Sequence, residues 1–164
     1  MADIRRFRES DWSALWPTLR TTFQAGDTYA FSPQSTEAEI RRVWIDAPTA
    51  TFVACADDGS IVGTYYVKPN QPGLGAHVCN CGYVVAPAAQ GQGIAGAMCE
   101  HSQREAVSLG LRAMQFNLVV STNQRAIRVW QRHGFAIVGT LPRAFAHRQL
   151  GYVDAFVMYK ELIA

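Results

Sequence analysis

The stretch "GYVVAPAAQGQGIAG", residues 82–96, constrains the fold more than any other. A β-rich run ends at Val85, a small-residue loop carries Gly91 and Gly93, and from Ile94 apolar residues recur at helical spacing through Met98, Ser102, Ala106 and Leu109. The segment reads as strand, glycine turn, helix. The amides at such a helix start point outward with the positive end of the helix dipole, and small residues let a ligand approach the backbone. Gly91 and Gly93 could equally serve a tight turn and nothing more. A literal G-x-G-x-x-G runs from Gly91 to Gly96, but a dinucleotide loop would follow its strand at once and be answered by a carboxylate about 20 residues on. Here Ala86 to Ala89 intervene, and "AMQFNLVV" contains no acid. No Lys-Ser or Lys-Thr follows the glycines, so the triphosphate-loop pattern is absent and a nucleoside triphosphate is not expected.

The remaining elements follow by the same reading. Strands are expected at 4–7, 49–56, 60–69, 78–85, 113–121, 135–141 and 152–162. Helices are expected over 12–23, distorted at Pro17, over 36–44 with Ser35 or Thr36 as cap, over 94–109 ended by Gly110, and around 126–130 closed by Gly134. This order gives a mixed α/β fold of seven strands and four helices. Its sheet should be mostly antiparallel, with parallel pairing only where helices make crossovers. A length of 164 residues suits one domain spanning 1–164.

Composition narrows the function classes. The net charge of +2 comes without a Lys/Arg run, which gives nucleic-acid binding no support. No apolar stretch approaches the roughly 20 residues of a membrane span, and residues 1–7 lack a signal-peptide core, so a cytoplasmic protein is expected. Cys55, Cys79, Cys81 and Cys99 read as reduced thiols. His77, Cys79 and Cys81 alternate on one strand face, but the spacing matches no usual zinc module, and no metal is expected. His101 reads as a half-buried packing residue.

Gln90, Gly91, Gln92, Gly93, Ile94 and Ala95 fit Q/R-x-x-G-x-G/A. With "GYVVAP" before them and "NQRAIRVWQRHGF" after, the chain resembles the GCN5-related N-acetyltransferase family from first strand to last. The resemblance implies that backbone amides of Gln90–Ala95 hold the pyrophosphate of acetyl-CoA. It also implies that Tyr83, Val84 and Val85 pair with the pantetheine arm as a strand would, beside a splayed central strand pair. "KPNQPGLGAHVCNCGYVV", "RAMQFNLVVSTN" and "GTLPRAFAHRQLGYVDAFVMY" look like the branch acting on proline analogues such as azetidine-2-carboxylate and related bacterial amino-acid acetyltransferases. That branch implies a substrate carboxylate held by Asn80, Asn117 and the Leu118 backbone, with Asn123 beside the acetyl group.

The bland alternatives are a loop-bracing role for Asn80, a turn-forming role for Asn117 and an N-cap role for Asn123. Tyr29 and Phe31 read either as core or as wall of the acceptor pocket. The usual acidic Tyr is replaced by Trp130, which would pack along pantetheine or in the core. Asn123 or amides near Val84 would polarise the thioester, and a backbone carbonyl acting through water, or more weakly His77, would be the base. The expected activity is acetylation of a small amino or imino acid, as in detoxification, by a homodimer. The alternatives are another small amine, such as a phosphinothricin-like amino acid or a polyamine, or a non-catalytic acyl-CoA sensor.

Overall fold

A computed structural model describes residues 2–163. Its seven strands are β1 (Asp3–Arg6), β2 (Ala50–Cys55), β3 (Ile61–Pro69), β4 (Val78–Val85), β5 (Ala113–Val120), β6 (Ala136–His147) and β7 (Gly151–Glu161). They form one sheet in the order β1-β2-β3-β4-β5-β7-β6. All neighbours are antiparallel except β4 and β5. That one parallel pair is joined by the crossover helix α3 (Ile94–Ser108), the connection a parallel step requires.

Helices cover both faces. Leu15, Leu19 and Phe23 place one face of α1 (Trp12–Ala25) against Trp44, Val53 and Tyr66. The helix runs through Pro17 within that span. Thr36 caps α2 (Glu37–Arg41) by accepting from the Glu39 amide, while the Glu39 carboxylate accepts from Thr36 N; a π-helical turn, Arg42–Asp46, continues it. On the opposite face α3 and α4 (Gln124–Arg132) bury Ile94, Met98, Cys99, Ile127 and Trp130 against Tyr65, Tyr83 and Phe116.

Helix ends fall where glycine was expected: Gly110 at φ 80° and Gly134 at φ 88° close α3 and α4. β6 exceeds its expected end at Leu141 and reaches His147. The extension passes a register shift at Leu141/Phe145, where Arg143 takes φ 52° and its amide donates to the Asp154 carboxylate. Pro142 suggests a stop, but at an edge strand with an irregularity the missing N–H costs no ladder bond.

Two irregularities in the middle of the sheet create the site. β4 and β5 share only the pairs Val78↔Ala113 and Cys79↔Met114, then part. On its other side β5 slips against β7 between Phe116 and Val119, and the ladder skips Asn117 and Leu118.

Candidate active site

The parting of β4 from β5 opens a cleft of about 970 Å³, lined from the β3 end by Lys68 and from the glycine turn by Gln90, Gly91 and Gly93 to Gly96, while the Gln92 side chain turns back to donate to Ala88 O. Which backbone groups face it follows from strand parity. Asn70 N donates to Val78 O and Ala86 N donates to Val62 O, so even-numbered β4 residues turn their amides and carbonyls towards β3. Val84 therefore lies in the β3 ladder, while Tyr83 and Val85 turn theirs to the cleft. The amides turned to the cleft are those of the neighbours of Val84, not its own.

Tyr29 meets that edge. Its hydroxyl donates to Tyr83 O at 2.8 Å and accepts from Tyr83 N at 2.6 Å. Burial pushes this phenol well above its ordinary pKa, so it stays a neutral hydroxyl. Tyr29 and Phe31 stack on each other and pack edge-on against Phe23, and both line the cleft. They serve as core and as pocket wall together.

At the glycine turn, Gly91 and Gly93 adopt φ 84° and 81°, and Gly93 is the N-cap of α3. The first amide of the α3 ladder, Ala97 N, donates to Gly93 O, and Gln90 N donates to Pro87 O at 3.3 Å. The amides of residues 93–96 are those that a helix start leaves without an intrahelical partner, and those of Gly91 and Gln92 lie in the turn before it. The Gln90 side chain accepts from Arg125 Nη1 at 3.0 Å. A Cβ on Gly91 would sit 3.0 Å from Arg125 Nη2, so glycine lets this guanidinium lie against the turn.

At the other end, Asn80 is nearly buried. Its Oδ1 accepts from the Tyr66 hydroxyl at 3.2 Å and its Nδ2 donates to Gln115 O at 3.0 Å. One Nδ2 hydrogen remains. Asn117, on the β5 irregularity, donates from Nδ2 to Asn70 Oδ1 at 2.7 Å and accepts from Gln115 Nε2 at 3.0 Å. Asn80, Asn117, Leu118 and Asn123 all line the cleft. Asn123 also caps α4, its Oδ1 accepting from Ala126 N at 3.2 Å. Trp130 is buried against Tyr83 and Phe116, its ring centroids 4.8 and 5.1 Å from theirs, and borders the cleft from beneath.

His77 is exposed, its Nδ1 3.2 Å from Leu74 O, and it does not line the cleft. Cys79 and Cys81 are buried free thiols among apolar neighbours, and burial pushes the Cys81 thiol well up. Among the described residues no group of three or more His, Cys, Asp or Glu could hold a metal.

The charged lining was missed by sequence reading. It consists of four cations, Lys68, Arg125, Arg128 and Arg132, and one carboxylate, Asp27. The arginines could have been found, because their 3- and 4-residue spacing puts them on one face of α4.

A sheet parted at its centre, with a strand edge in the gap that no neighbouring strand pairs and a glycine turn at one end, defines the class. The profile of the acetyltransferase (GNAT) family matches residues 10–135, and the chain belongs to that family. A GCN5-related N-acetyltransferase structure from Kribbella flavida superposes with a TM-score of 0.92 at 40% identity, over 98% of this chain and 97% of that one. N-acetyltransferase aca1 of Schizosaccharomyces pombe is 37% identical over 101 residues, 60% of this chain and 47% of its own length. L-amino acid N-acetyltransferase AaaT of Escherichia coli is 34% identical over 111 residues, 65% of each protein. The chain thus matches about half of the first relative and about two thirds of the second.

Proposed function

We propose that this protein transfers acetyl from acetyl-CoA to the amine of a small amino or imino acid, of which a toxic proline analogue is one candidate. The observation that carries this reading is the unladdered edge of β4: Tyr83 and Val85 face one cleft that also holds the glycine turn and the Asn80–Asn117 pair. A pantetheine arm carries amides at strand-like spacing and would pair with that edge. Its diphosphate would then reach the amides of residues 91–95, where the α3 dipole and Arg125 favour negative charge.

The acceptor amine, deprotonated, attacks the thioester carbonyl carbon. A C–N bond forms, the C–S electron pair leaves with sulfur as CoA thiolate, and the amine proton passes to water held by a backbone carbonyl. The oxyanion of the tetrahedral intermediate would accept from cleft-facing amides of β4, with the Nδ2 of Asn123 as a second donor. Trp130 has no proton to give at this position, so the thiolate leaves directly or is protonated by solvent. Asn80, Asn117 and the freed backbone of Leu118 would hold the acceptor carboxylate.

The four cations facing one carboxylate in the cleft speak against a polyamine. Thiol release with azetidine-2-carboxylate, methionine sulfoximine and spermidine tests the reading. Turnover of an amino acid supports it, and acetyl-CoA binding without turnover of any amine supports a sensor instead. Asn80→Ala and Asn117→Ala should raise the acceptor KM more than they weaken acetyl-CoA.

A homodimer and a cytoplasmic location are part of this proposal. β6 is a 12-residue edge strand with Val138 60% exposed and Tyr152 of β7 74% exposed, a surface a second copy would cover. A monomer by light scattering would contradict the dimer. The free, buried thiols suit a reducing compartment. Among the described residues no helix is long and apolar enough to cross a membrane.

A further inference from the structure

The cations of the cleft fall into two groups at opposite ends of β4. The arginines lie on α4, and Arg125 is tied to the glycine turn that follows Val85. Lys68 stands alone at the other end, directly opposite Asn80 in the β3–β4 register. Directly opposed residues send their side chains to the same face, so Lys68 and Asn80 project together. Tyr66, two residues earlier on β3, shares this face and leans across β4 over Gly82. A Cβ at Gly82 would lie 2.6 Å from the Tyr66 ring. The Tyr66 hydroxyl orients the Asn80 amide, and the Lys68 ammonium sits 5.3 Å from the Tyr66 ring centroid.

The ring attracts and orders the ammonium without neutralising it. Among the described residues Lys68 has no carboxylate partner; pairs such as Arg5 with Asp11, Arg41 with Glu9 and Asp46, and Arg104 with Glu100 lie elsewhere. A half-buried cation with no internal counter-ion, next to a spare amide hydrogen, is complementary to an anion supplied from outside.

We propose that Lys68 is the counter-ion of the acceptor's carboxylate and therefore the residue that selects amino and imino acids over the same amines without the acid group. This rests on the amino-acid reading above and adds to it the residue that sets the charge preference. The Asn80 and Asn117 amides fix the carboxylate's position, while Lys68 supplies the charge that a decarboxylated amine cannot use.

The test is steady-state kinetics of wild type, Lys68→Met and Lys68→Arg. The acceptors are azetidine-2-carboxylate, or whichever α-amino acid the wild type turns over fastest, and its decarboxylated counterpart. Lys68→Met should raise the KM for the acid by about ten- to a hundredfold, the range of a lost charge-assisted contact. The KM for the amine and the Kd for acetyl-CoA should stay put, and Lys68→Arg should recover most of the loss.

An unchanged ratio of kcat/KM between acid and amine in Lys68→Met would overturn the inference, and so would an equal loss on both. If Lys68→Met does not fold, salt gives the second measurement. The wild-type KM for the acid should rise with ionic strength while that for the amine does not, and two parallel salt responses would overturn the inference. A wild type that acetylates amines but no amino acid would bring down the substrate reading itself, and Lys68's role with it. Amino-acid turnover with unchanged discrimination in Lys68→Met would bring down only the latter.

Discussion

The Tyr29 hydroxyl holds both the N–H and the C=O of Tyr83, at 2.6 and 2.8 Å, and so caps the strand edge at the point where β4 has left β5. Two backbone groups that would otherwise face an open cleft are satisfied by one side chain from the loop after α1. A pantetheine amide pairing with Tyr83 must take the place of that hydroxyl.

Tyr29→Phe should therefore separate folding from binding. Without the hydroxyl, the Tyr83 groups lose their partner in the free protein, which costs about 1–3 kcal/mol. The free protein should melt lower by several degrees, about 2–4 °C for each kcal/mol in a chain of this length. Acetyl-CoA, no longer competing, should bind several-fold tighter and raise the melting temperature more than in wild type. Calorimetry and thermal melts read both, and weaker acetyl-CoA binding in the variant would refute the competition.

Gly82→Ala should act through a side chain it does not itself carry. The new Cβ would come within 2.6 Å of the Tyr66 ring, which must swing away and release the Asn80 amide. Stability should fall by about 1–3 kcal/mol from overpacking, and the acceptor KM should rise with acetyl-CoA affinity little changed. An acceptor KM equal to wild type in the folded variant would contradict this.

Gly93→Ala meets no neighbour, since a Cβ there finds open space, but Gly93 sits at φ 81°. The strain alone should cost about 1–2 kcal/mol. Acetyl-CoA should weaken by about tenfold, because the turn's amides relax out of alignment. Titration calorimetry of the folded variant checks this, and unchanged affinity would count against the turn as the diphosphate site.

His101 predicts a pH dependence of stability. Its ring packs edge-on to Phe52 and its Nδ1 lies 2.7 Å from the Tyr65 hydroxyl, and burial lowers its pKa from 6.5. Above pH 6.5 the imidazole is neutral in both folded and unfolded chains, and its contribution is complete. As pH falls below 6.5 the unfolded chain takes the proton first, so stability drops until the folded pKa is passed, then levels. Denaturant unfolding at about pH 7.5 and about pH 5.5 should show this loss, reduced in His101→Gln. Equal pH slopes in the two proteins would contradict it.

The glycine turn and the crossover helix were legible because their signals are local: Val85 ends an apolar run, Gly93 caps, and Ile94 to Leu109 keep helical spacing. The same holds for Thr36, Gly110 and Gly134 at helix ends. β6 ran past Pro142 because its edge position depends on the sheet order, which no local signal carries. The parity that turns Tyr83 and Val85, rather than Val84, towards the cleft depends on the β3 register. The placing of Lys68 beside Asn80 depends on the same register, and the Tyr29–Tyr83 contact joins residues 54 positions apart. Arg125, Arg128 and Arg132 could be read from α4, but only the parted sheet shows that their face borders a cleft.

Crystals of the protein with acetyl-CoA test the central claim most directly. The account predicts pantetheine amides bonded to the main chain of Tyr83 and Val85, the Tyr29 hydroxyl displaced, and the diphosphate on the amides of residues 91–95. A bound thioester lying elsewhere, with Tyr29 still on Tyr83 and the turn empty, would contradict it.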